Sequence, residues 1–150
     1  MIRVFIIILF ISNLVKIDAQ EINWTSFDDL NDSLRINQKP IMVFVHTTWC
    51  KYCKIQENTT FKDSLVVSYL NKNYYNLRLD ADTKDSIHFF GKLYIKPQND
   101  YHDLARFLAK EKDDLAFPTT IFLSSQLILE RRFQGLITVK ELNKKVITFW

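Results

Sequence analysis

The sequence is poor in several residue types on which common functional sites depend. It contains two glycines and no glycine-rich loop of the kind that cradles phosphate groups, which excludes a phosphate-binding loop for nucleotides. It contains two cysteines, so a framework of several disulfides is excluded as well. A zinc site needs about four ligands, and besides the two cysteines the chain offers only the histidines His46, His88 and His102. Any thiol chemistry of this chain must therefore involve the one cysteine pair.

Neither one sign of charge nor a long apolar segment dominates the chain. Its 20 basic and 17 acidic residues give a net charge of +3, a balance that indicates neither a nucleic acid nor a charged membrane surface as partner. The N-terminal apolar run, Val4 to Ile11, is short, whereas a membrane-spanning helix needs about 20 apolar residues. A membrane protein built on long hydrophobic helices is therefore not predicted.

The first residues have the pattern of a secretory signal peptide. Arg3 provides a positive start, the apolar run follows, and Ala19 is a small residue suited to cleavage. We predict a signal peptide over residues 1–19 and one exported domain, periplasmic or secreted, over residues 20–150. No stable membrane span is expected after cleavage, and an uncleaved N-terminal anchor is the alternative.

The chain does contain an apolar, β-branched run that leads to the two cysteines. Ile41 to Val45 has the pattern of a buried strand. No glycine or proline follows Cys50 until Gly91, so a helix can begin at Cys50 and place Cys53 one turn later on the same face. The free N–H groups and the positive dipole end of a helix favour an anion, which predicts a lowered pKa for the Cys50 thiol.

This spacing predicts a nucleophile and a resolving thiol. Cys53 is close enough to attack a mixed disulfide at Cys50 and release the partner. Lys51 and Lys54 add positive charge nearby, and Trp49 is expected to cover one side of the sulfur pair. Because the cysteines carry the reducing equivalents as a redox-active disulfide, no metal or organic cofactor is expected.

Other roles for the pair stay open at this point. A structural disulfide across two intervening residues would restrain little of the unfolded chain. Metal binding and two inert thiols are further alternatives. His46, four residues before Cys50, would tune the thiols by titrating near pH 6.5 if it lay close to them.

Two motifs resemble the thioredoxin superfamily with its Trp-Cys-x-x-Cys active site, and the segment Lys54 to Asp63 resembles the periplasmic or secreted branch of that superfamily. They are Trp49-Cys50-Lys51-Tyr52-Cys53-Lys54 after a hydrophobic strand, and Phe117-Pro118-Thr119-Thr120 before Ile121-Phe122-Leu123. The resemblance implies an α/β thioredoxin fold, with a central mixed β-sheet flanked by helices. It further implies a cis-proline at Pro118 that faces the cysteine pair, and a substrate groove with the supporting residues Trp49, Lys51, Tyr52, Phe117, Pro118 and Thr119.

The resemblance also identifies one match and one departure. Gly135 corresponds to the glycine that follows the next strand in the family. Compact thioredoxins have a buried aspartate in the strand before the active site, and Phe44 occupies that position here. The family's internal proton acceptor for Cys53 is therefore absent or replaced.

Periodicity and capping signals predict the remaining elements. They are a helix from Trp24 to Asn37 with Ser26 as N-cap, a helix from about Thr60, a strand from Tyr74 to Asp80, a hairpin of Thr119–Ser124 and Leu127–Phe133, and a closing helix from Val139 to Phe149. Between the strand and the hairpin lies an insertion from Ala81 to Lys112. It contains a helix with Asp100 as N-cap and with Leu104, Phe107 and Leu108 on one face. The insertion precedes the cis-proline, and we expect it to lie beside the active site or to pack against the sheet.

These observations together predict an exported thiol–disulfide oxidoreductase that acts through Cys50 and Cys53. Its partners would be protein thiols and disulfides in the export compartment and a redox partner, and the chain would be a monomer. The sequence does not set the direction of electron flow. The alternative function is a binding module, either chaperone-like or a copper carrier using Cys50, Cys53 and His46.

Overall fold

The structure is a computed structural model that describes residues 21–112 and 114–148. The predicted signal peptide and Phe149 lie outside the described residues. The elements in chain order are α1 Phe27–Ile36, β1 Ile41–His46, α2 Lys51–Asn58, a 3₁₀ turn Thr60–Lys62, α3 Ser64–Asn73, β2 Tyr75–Asp80, β3 Ile87–Phe89, β4 Lys92–Tyr94, α4 Asp103–Ala109, β5 Lys110–Glu111, β6 Asp114–Leu115, β7 Thr119–Leu123, β8 Leu129–Gln134, α5 Val139–Leu142 and a π-helical turn Asn143–Ile147.

The central sheet has four strands in the order β2-β1-β7-β8. β1 is parallel to β2 and antiparallel to β7, and β7 pairs antiparallel with β8. The sheet is therefore mixed, as predicted. Every residue of β1 is buried, because helices cover both faces of the sheet, and this explains the uninterrupted apolar run in the sequence.

The two faces of the sheet carry two separate clusters of the core. Val43 and Val45 of β1 pack with Leu30 of α1 and Leu104 of α4. Alternate residues of the same strand, Met42 and Phe44, belong to the other cluster, which contains α2, α3, α5 and both cysteines. The period of two in a strand thus places the active-site helix on one face and the inserted helix on the other.

The first helix begins at Phe27, later than the predicted Trp24. Ser26 is the N-cap, as predicted, and its Oγ accepts a hydrogen bond from the Asp29 N–H at 3.0 Å. Trp24 instead forms a parallel bridge with Asn76 at the edge of the sheet. Ile36, expected in the apolar stripe, is the last residue of the helix and is 87% exposed.

The insertion of residues 81–112 contains strands as well as the predicted helix. β3 and β4 form a small hairpin, α4 follows, and β5 pairs with β6. The prediction of Asp100 as N-cap was wrong: His102 caps α4, and Asp100 forms an ion pair with Arg106. The prediction for Phe107 was also wrong, since its side chain is 62% exposed and packs on Tyr94 while Leu104 and Leu108 are buried.

The C-terminal elements follow the predicted pattern with shifted ends. The β8 strand begins at Leu129, two residues later than predicted, because Leu127 adopts a positive φ of 65° in the turn. Residues 139–147 are helical without a break, first as the single turn α5 and then as the π-helical turn, so the predicted closing helix is present with a changed hydrogen-bond pattern from Asn143 onward. Leu142 and Val146 are buried as expected. Every helix within residues 21–112 and 114–148 is too short or too polar to cross a membrane.

Candidate active site

The two cysteines lie at the N-terminus of α2 and are joined by a disulfide. Cys50 is the N-cap, and its Sγ accepts a hydrogen bond from the Cys53 N–H at 3.1 Å. The two Cα atoms are 5.3 Å apart, one helical turn, as the spacing predicted. Cys50 is 5% exposed and Cys53 is 1% exposed. Cys50 is therefore the slightly more exposed residue of the pair, and it lies at the helix end where backbone N–H groups are free.

The loop before β7 contains the cis bond that the resemblance implied. The Phe117–Pro118 peptide is cis, and the Pro118 carbonyl accepts a hydrogen bond from the Gly135 N–H at 2.7 Å. Gly135 has a φ of +85°, which favours glycine and explains its place after β8. Thr119 is buried, and its hydroxyl donates to the Ala116 carbonyl at 2.7 Å. Hydrogen bonds on both sides thus hold the proline loop against the end of the sheet.

Trp49 connects the cysteine helix with the proline loop. Its ring contacts the Phe117 ring edge-on at 6.3 Å, and Phe117 also packs against the cluster that contains both cysteines. Trp49 is nevertheless 63% exposed and Tyr52 is 60% exposed. The structure therefore brings an exposed aromatic rim, a disulfide and the proline loop to one end of the sheet.

The indole of Trp49 is held by a residue that the sequence analysis did not assign to the site. Its Nε1–H donates to Asp82 Oδ2 at 2.9 Å, and Lys96 Nζ binds Asp82 Oδ1 at 3.0 Å. A signal for Asp82 was present, because β1 and β2 are parallel and their carboxyl ends meet at one edge, where His46 pairs with Asp80. The carboxyl ends of parallel neighbouring strands lie at the same edge of a sheet, a signal that the sequence analysis did not use.

The charged and polar neighbours of the cysteines project outward. Lys51, Tyr52 and Lys54 are exposed on α2. Lys51 is the first residue of the helix, and Lys54 lies one turn further on. Their positive charges are at the end of the helix where the dipole already favours an anion.

Gln56 is a second residue that the sequence analysis missed. Its side chain is fully buried; its Nε2 donates to Thr120 Oγ1 at 2.8 Å, and its Oε1 accepts from the Ile137 N–H at 3.1 Å. Thr60 adds a hydrogen bond from its hydroxyl to the Ile137 carbonyl at 2.7 Å. These bonds connect α2 to β7 and to the loop before α5. They set the position of the cysteine helix relative to the strand that follows the cis-proline.

Phe44 fills the position of the family's buried acid with an aromatic ring. It is fully buried, contacts Phe61 edge-on at 5.0 Å and stacks on His46 at 5.4 Å. No carboxylate replaces it on β1, whose sequence is Ile-Met-Val-Phe-Val-His. Glu57 binds Arg78 at 2.6 Å, and Arg78 in turn binds His46, whose ring stacks on Phe44.

His46 is engaged with Arg78. Its Nε2 accepts a hydrogen bond from Arg78 Nε at 2.9 Å. Burial and the adjacent Arg78 charge lower the pKa of His46 below 6.5, so the ring is neutral at pH 7. Within residues 21–112 and 114–148, no group of three or more His, Cys, Asp or Glu side chains is arranged to hold a metal ion.

Comparison with known proteins identifies a matching family model and two curated relatives. The family model Thioredox_DsbH, described as "Protein of unknown function, DUF255", matches residues 11–128. The thiol:disulfide interchange proteins DsbD of two Campylobacter jejuni strains are each 28% identical over 61 residues. That match covers 41% of this chain and 11% of each relative, so the chain spans about a tenth of their length.

Solved structures show the same fold. A candidate disulphide isomerase from Bacteroides thetaiotaomicron has a TM-score of 0.60 and 27% identity, covering 86% of this chain and 93% of that chain. A thioredoxin from Thermus thermophilus has a TM-score of 0.59 and 19% identity, covering 83% and 84%. A DsbH oxidoreductase has a TM-score of 0.52 and 16% identity, covering 81% of both chains.

These structures confirm the predicted α/β thioredoxin fold. Because the family model matches most of the chain, the protein belongs to the Thioredox_DsbH family, and it carries a CxxC pair, Cys50 and Cys53, at the N-terminus of α2.

Proposed function

We propose that this protein is an exported thiol–disulfide oxidoreductase that exchanges disulfides with other proteins through Cys50 and Cys53. The observation that supports this most directly is the disulfide at the start of α2, beside the exposed Trp49 and the cis-proline loop. A disulfide with this short loop adds little stability. Its position at a helix N-terminus, by contrast, favours the thiolate that thiol exchange requires.

The exchange reaction balances on the two cysteines alone. In the reduced protein the Cys50 thiolate attacks one sulfur of a partner disulfide, and the other partner sulfur leaves as a thiolate. The Cys53 thiolate then attacks Cys50, closes the internal disulfide and releases the second partner sulfur. Two electrons pass to the partner, whose two thiolates take up two protons. The reverse sequence oxidises a partner dithiol.

Lys51 and Lys54 stabilise the Cys50 thiolate in this reaction, and Trp49 and Tyr52 form the apolar rim that a partner meets. The backbone at Phe117 would pair with an extended segment of the partner, a form of strand addition that tolerates different sequences. Phe117, Pro118 and Thr119 then act as groove residues. The carboxylate found in compact thioredoxins has no counterpart at Phe44.

Export is proposed from the N-terminal sequence pattern, and we propose that the processed protein acts as a monomer in the periplasm or outside the cell. The signal is tested by expressing the full chain and sequencing the N-terminus of the exported product. A product that begins near residue 20 supports cleavage. A product that retains Met1 and sediments with membranes supports the anchored alternative.

The trapping experiment uses the fact that the chain has two cysteines. In Cys53→Ser, any mixed disulfide with a partner must involve Cys50, and it should persist because no resolving thiol remains. Cys50→Ser is the matched control and should trap nothing. Equal capture by both variants, or by neither, would contradict the proposed roles.

The direction of exchange is tested by measuring the reduction potential in glutathione buffers. A value near −270 mV would identify a reductase, and one near −120 mV would identify an oxidant or isomerase. If no reversible two-electron transition occurs, the binding-module alternative replaces this proposal. A chaperone-like module would keep its activity in the double Cys→Ser variant, and a copper carrier would lose stoichiometric metal binding in Cys50→Ser.

A further inference from the structure

The insertion of residues 81–112 and the β7–β8 hairpin enclose a cavity on the face of the sheet opposite the cysteines. It has a volume of about 420 Å³, within the range of about 300–1,000 Å³ that is typical of ligand sites. Its walls come from the β3–β4 hairpin, α4, β7 and β8. The buried residues of these walls belong to one core cluster, and both cysteines belong to the other. The proposed exchange reaction therefore does not use this cavity.

The inner wall of the cavity is apolar and buried. Leu108, Ile121 and Leu123 line it, and each is at most 5% exposed. Phe107 and Leu129 line its outer part and are 62% and 45% exposed. Such an apolar space offers water few hydrogen bonds, so an apolar group that reaches it from solvent gains free energy by burial.

The pairing of β7 with β8 places a guanidinium in the cavity wall. Arg132 lies opposite Ile121 in the register, and the neighbouring Arg131 lies opposite Phe122. Because successive side chains of a strand point to opposite faces, Arg132 lies on the cavity face and Arg131 on the face of the cysteine cluster. The Arg132 Nε donates a hydrogen bond to the Leu108 carbonyl at 3.0 Å. This bond does not use the two terminal amino groups of the guanidinium.

The second charged residue that lines the cavity, Lys92, is also positive. Its Nζ lies 4.7 Å from the centroid of the Tyr94 ring, which lines the same cavity. None of the described residues that line the cavity is acidic. Within residues 21–112 and 114–148, neither Lys92 nor Arg132 forms an ion pair. The cavity thus combines an apolar interior with two cations, and a guanidinium matches the geometry of a carboxylate.

We propose that this cavity binds one single-chain amphiphile with a carboxylate head, of the chemical class of the free fatty acids. The acyl chain contacts Leu108, Ile121 and Leu123, and the carboxylate binds Arg132 and Lys92. The two positive charges favour this head over a cationic one. The binding function is additional to the exchange of disulfides and does not depend on it.

The experiment measures the binding of dodecanoate to the full chain by isothermal titration calorimetry, below the concentration at which the probe forms micelles. Dodecyltrimethylammonium, with a chain of the same length and a cationic head, tests the role of charge, and decanoate tests the role of the acyl chain. We expect one dodecanoate to bind per chain and the cationic probe to bind at least about tenfold more weakly. Decanoate should also bind about tenfold more weakly, because it buries two fewer methylenes.

Substitutions on the two faces of β8 test the proposed head-group site. Arg132→Gln removes the charge and keeps a side chain that can donate to the Leu108 carbonyl. It should raise the Kd of dodecanoate about tenfold and leave that of dodecyltrimethylammonium no higher than before. Arg131→Gln is the matched control, because it removes the same charge from the other face of the same strand. Its Kd for dodecanoate should stay within about twofold of that of the unaltered protein.

Methyl NMR resonances locate the acyl chain without any substitution. On saturation with dodecanoate, the methyl resonances of Leu108, Ile121 and Leu123 should shift. Those of Val67 and Leu142 are the control, because both residues are buried in the cysteine cluster on the other face of the sheet, and they should stay in place.

Several results would overturn the inference. They are equal affinity for the anionic and cationic probes, equal effects of the two arginine substitutions, and methyl shifts confined to the cysteine face. Absence of dodecanoate binding would do so as well, and if the chain then sedimented as a dimer, a second copy would be the occupant of the apolar wall. These outcomes leave the exchange reaction of Cys50 and Cys53 unaffected, because the trapping experiment tests it separately.

Discussion

The stability of this protein should fall as the pH drops below about 6.5, and His102 is a main reason. Its side chain is fully buried at the start of α4. Nδ1 accepts a hydrogen bond from the Leu104 N–H at 3.2 Å, and Nε2 lies 3.1 Å from the Asp85 carbonyl, to which it donates. This pairing requires a neutral ring with the proton on Nε2, because a protonated Nδ1 cannot accept.

Burial lowers the pKa of His102 below its ordinary value of 6.5, and the nearby Lys96 charge acts in the same direction. Burial likewise lowers the pKa of His46. Above pH 6.5 both rings are neutral in the folded and unfolded chain, so their full stabilising contribution is present. As the pH falls, the unfolded chain binds protons that the folded chain does not bind, and this contribution is lost until the folded-state pKa is reached.

The magnitude follows from linkage. Each histidine contributes a slope of at most about 1.4 kcal/mol per pH unit, so the two together give at most about 2.7 kcal/mol per pH unit below 6.5. Glu21 and Glu141, whose carboxyl pKa values are also lowered, begin to contribute only nearer their ordinary value of 4.5. The window between about pH 5 and 6.5 therefore isolates the histidines.

The assay is urea unfolding of the oxidised protein at several pH values between about 5 and 7.5. His102→Asn can still cap α4 through its side-chain oxygen, and we expect it to lose about half of the pH slope. His88→Asn is the control, because His88 is exposed on β3. A slope in His102→Asn equal to that of the unaltered protein would refute the role of the neutral buried ring.

Three further predictions test the contacts around the site. Gln56→Met leaves the Thr120 hydroxyl and the Ile137 N–H without their buried partner, and should lower the free energy of unfolding by about 2–4 kcal/mol in urea titrations. Lys96→Met frees the Asp82 carboxylate from its cation and should shift the NMR resonance of the Trp49 indole N–H, with Lys96→Arg restoring it. Phe44→Asp buries a carboxylate where three rings pack, and should destabilise the protein by about 3–5 kcal/mol, seen in the same urea titrations.

Control substitutions or contradicting outcomes show whether each effect has the stated cause. Gln38→Met changes an exposed glutamine, and Lys84→Met changes an exposed lysine of the insertion; both should behave like the unaltered protein. An unmoved Trp49 resonance in Lys96→Met would show that Lys96 does not position the indole through Asp82. Near-native stability in Phe44→Asp would mean that the site still accommodates the family's acid.

The local elements were predictable because each has a signal in neighbouring residues. The buried strand Ile41 to Val45, the helix that begins at Cys50, and the N-cap Ser26 were all confirmed. The cis bond at Pro118 was confirmed as well, although it came from the family resemblance and not from local propensity. Errors occurred where two neighbouring residues could each cap a helix. Asp100 was predicted as the N-cap of α4, but His102 is the N-cap because its Nδ1 accepts a hydrogen bond from the Leu104 N–H in the first turn.

The sequence by itself determined where thiol chemistry could occur, because the two cysteines form one pair at a strand-to-helix junction. The tertiary structure decided what surrounds that pair. Trp49 meets Asp82, 33 residues away, and Gln56 meets Ile137, 81 residues away. Such contacts depend on which strand ends share an edge and on which face each helix packs, and neither follows from the composition or periodicity of a single segment.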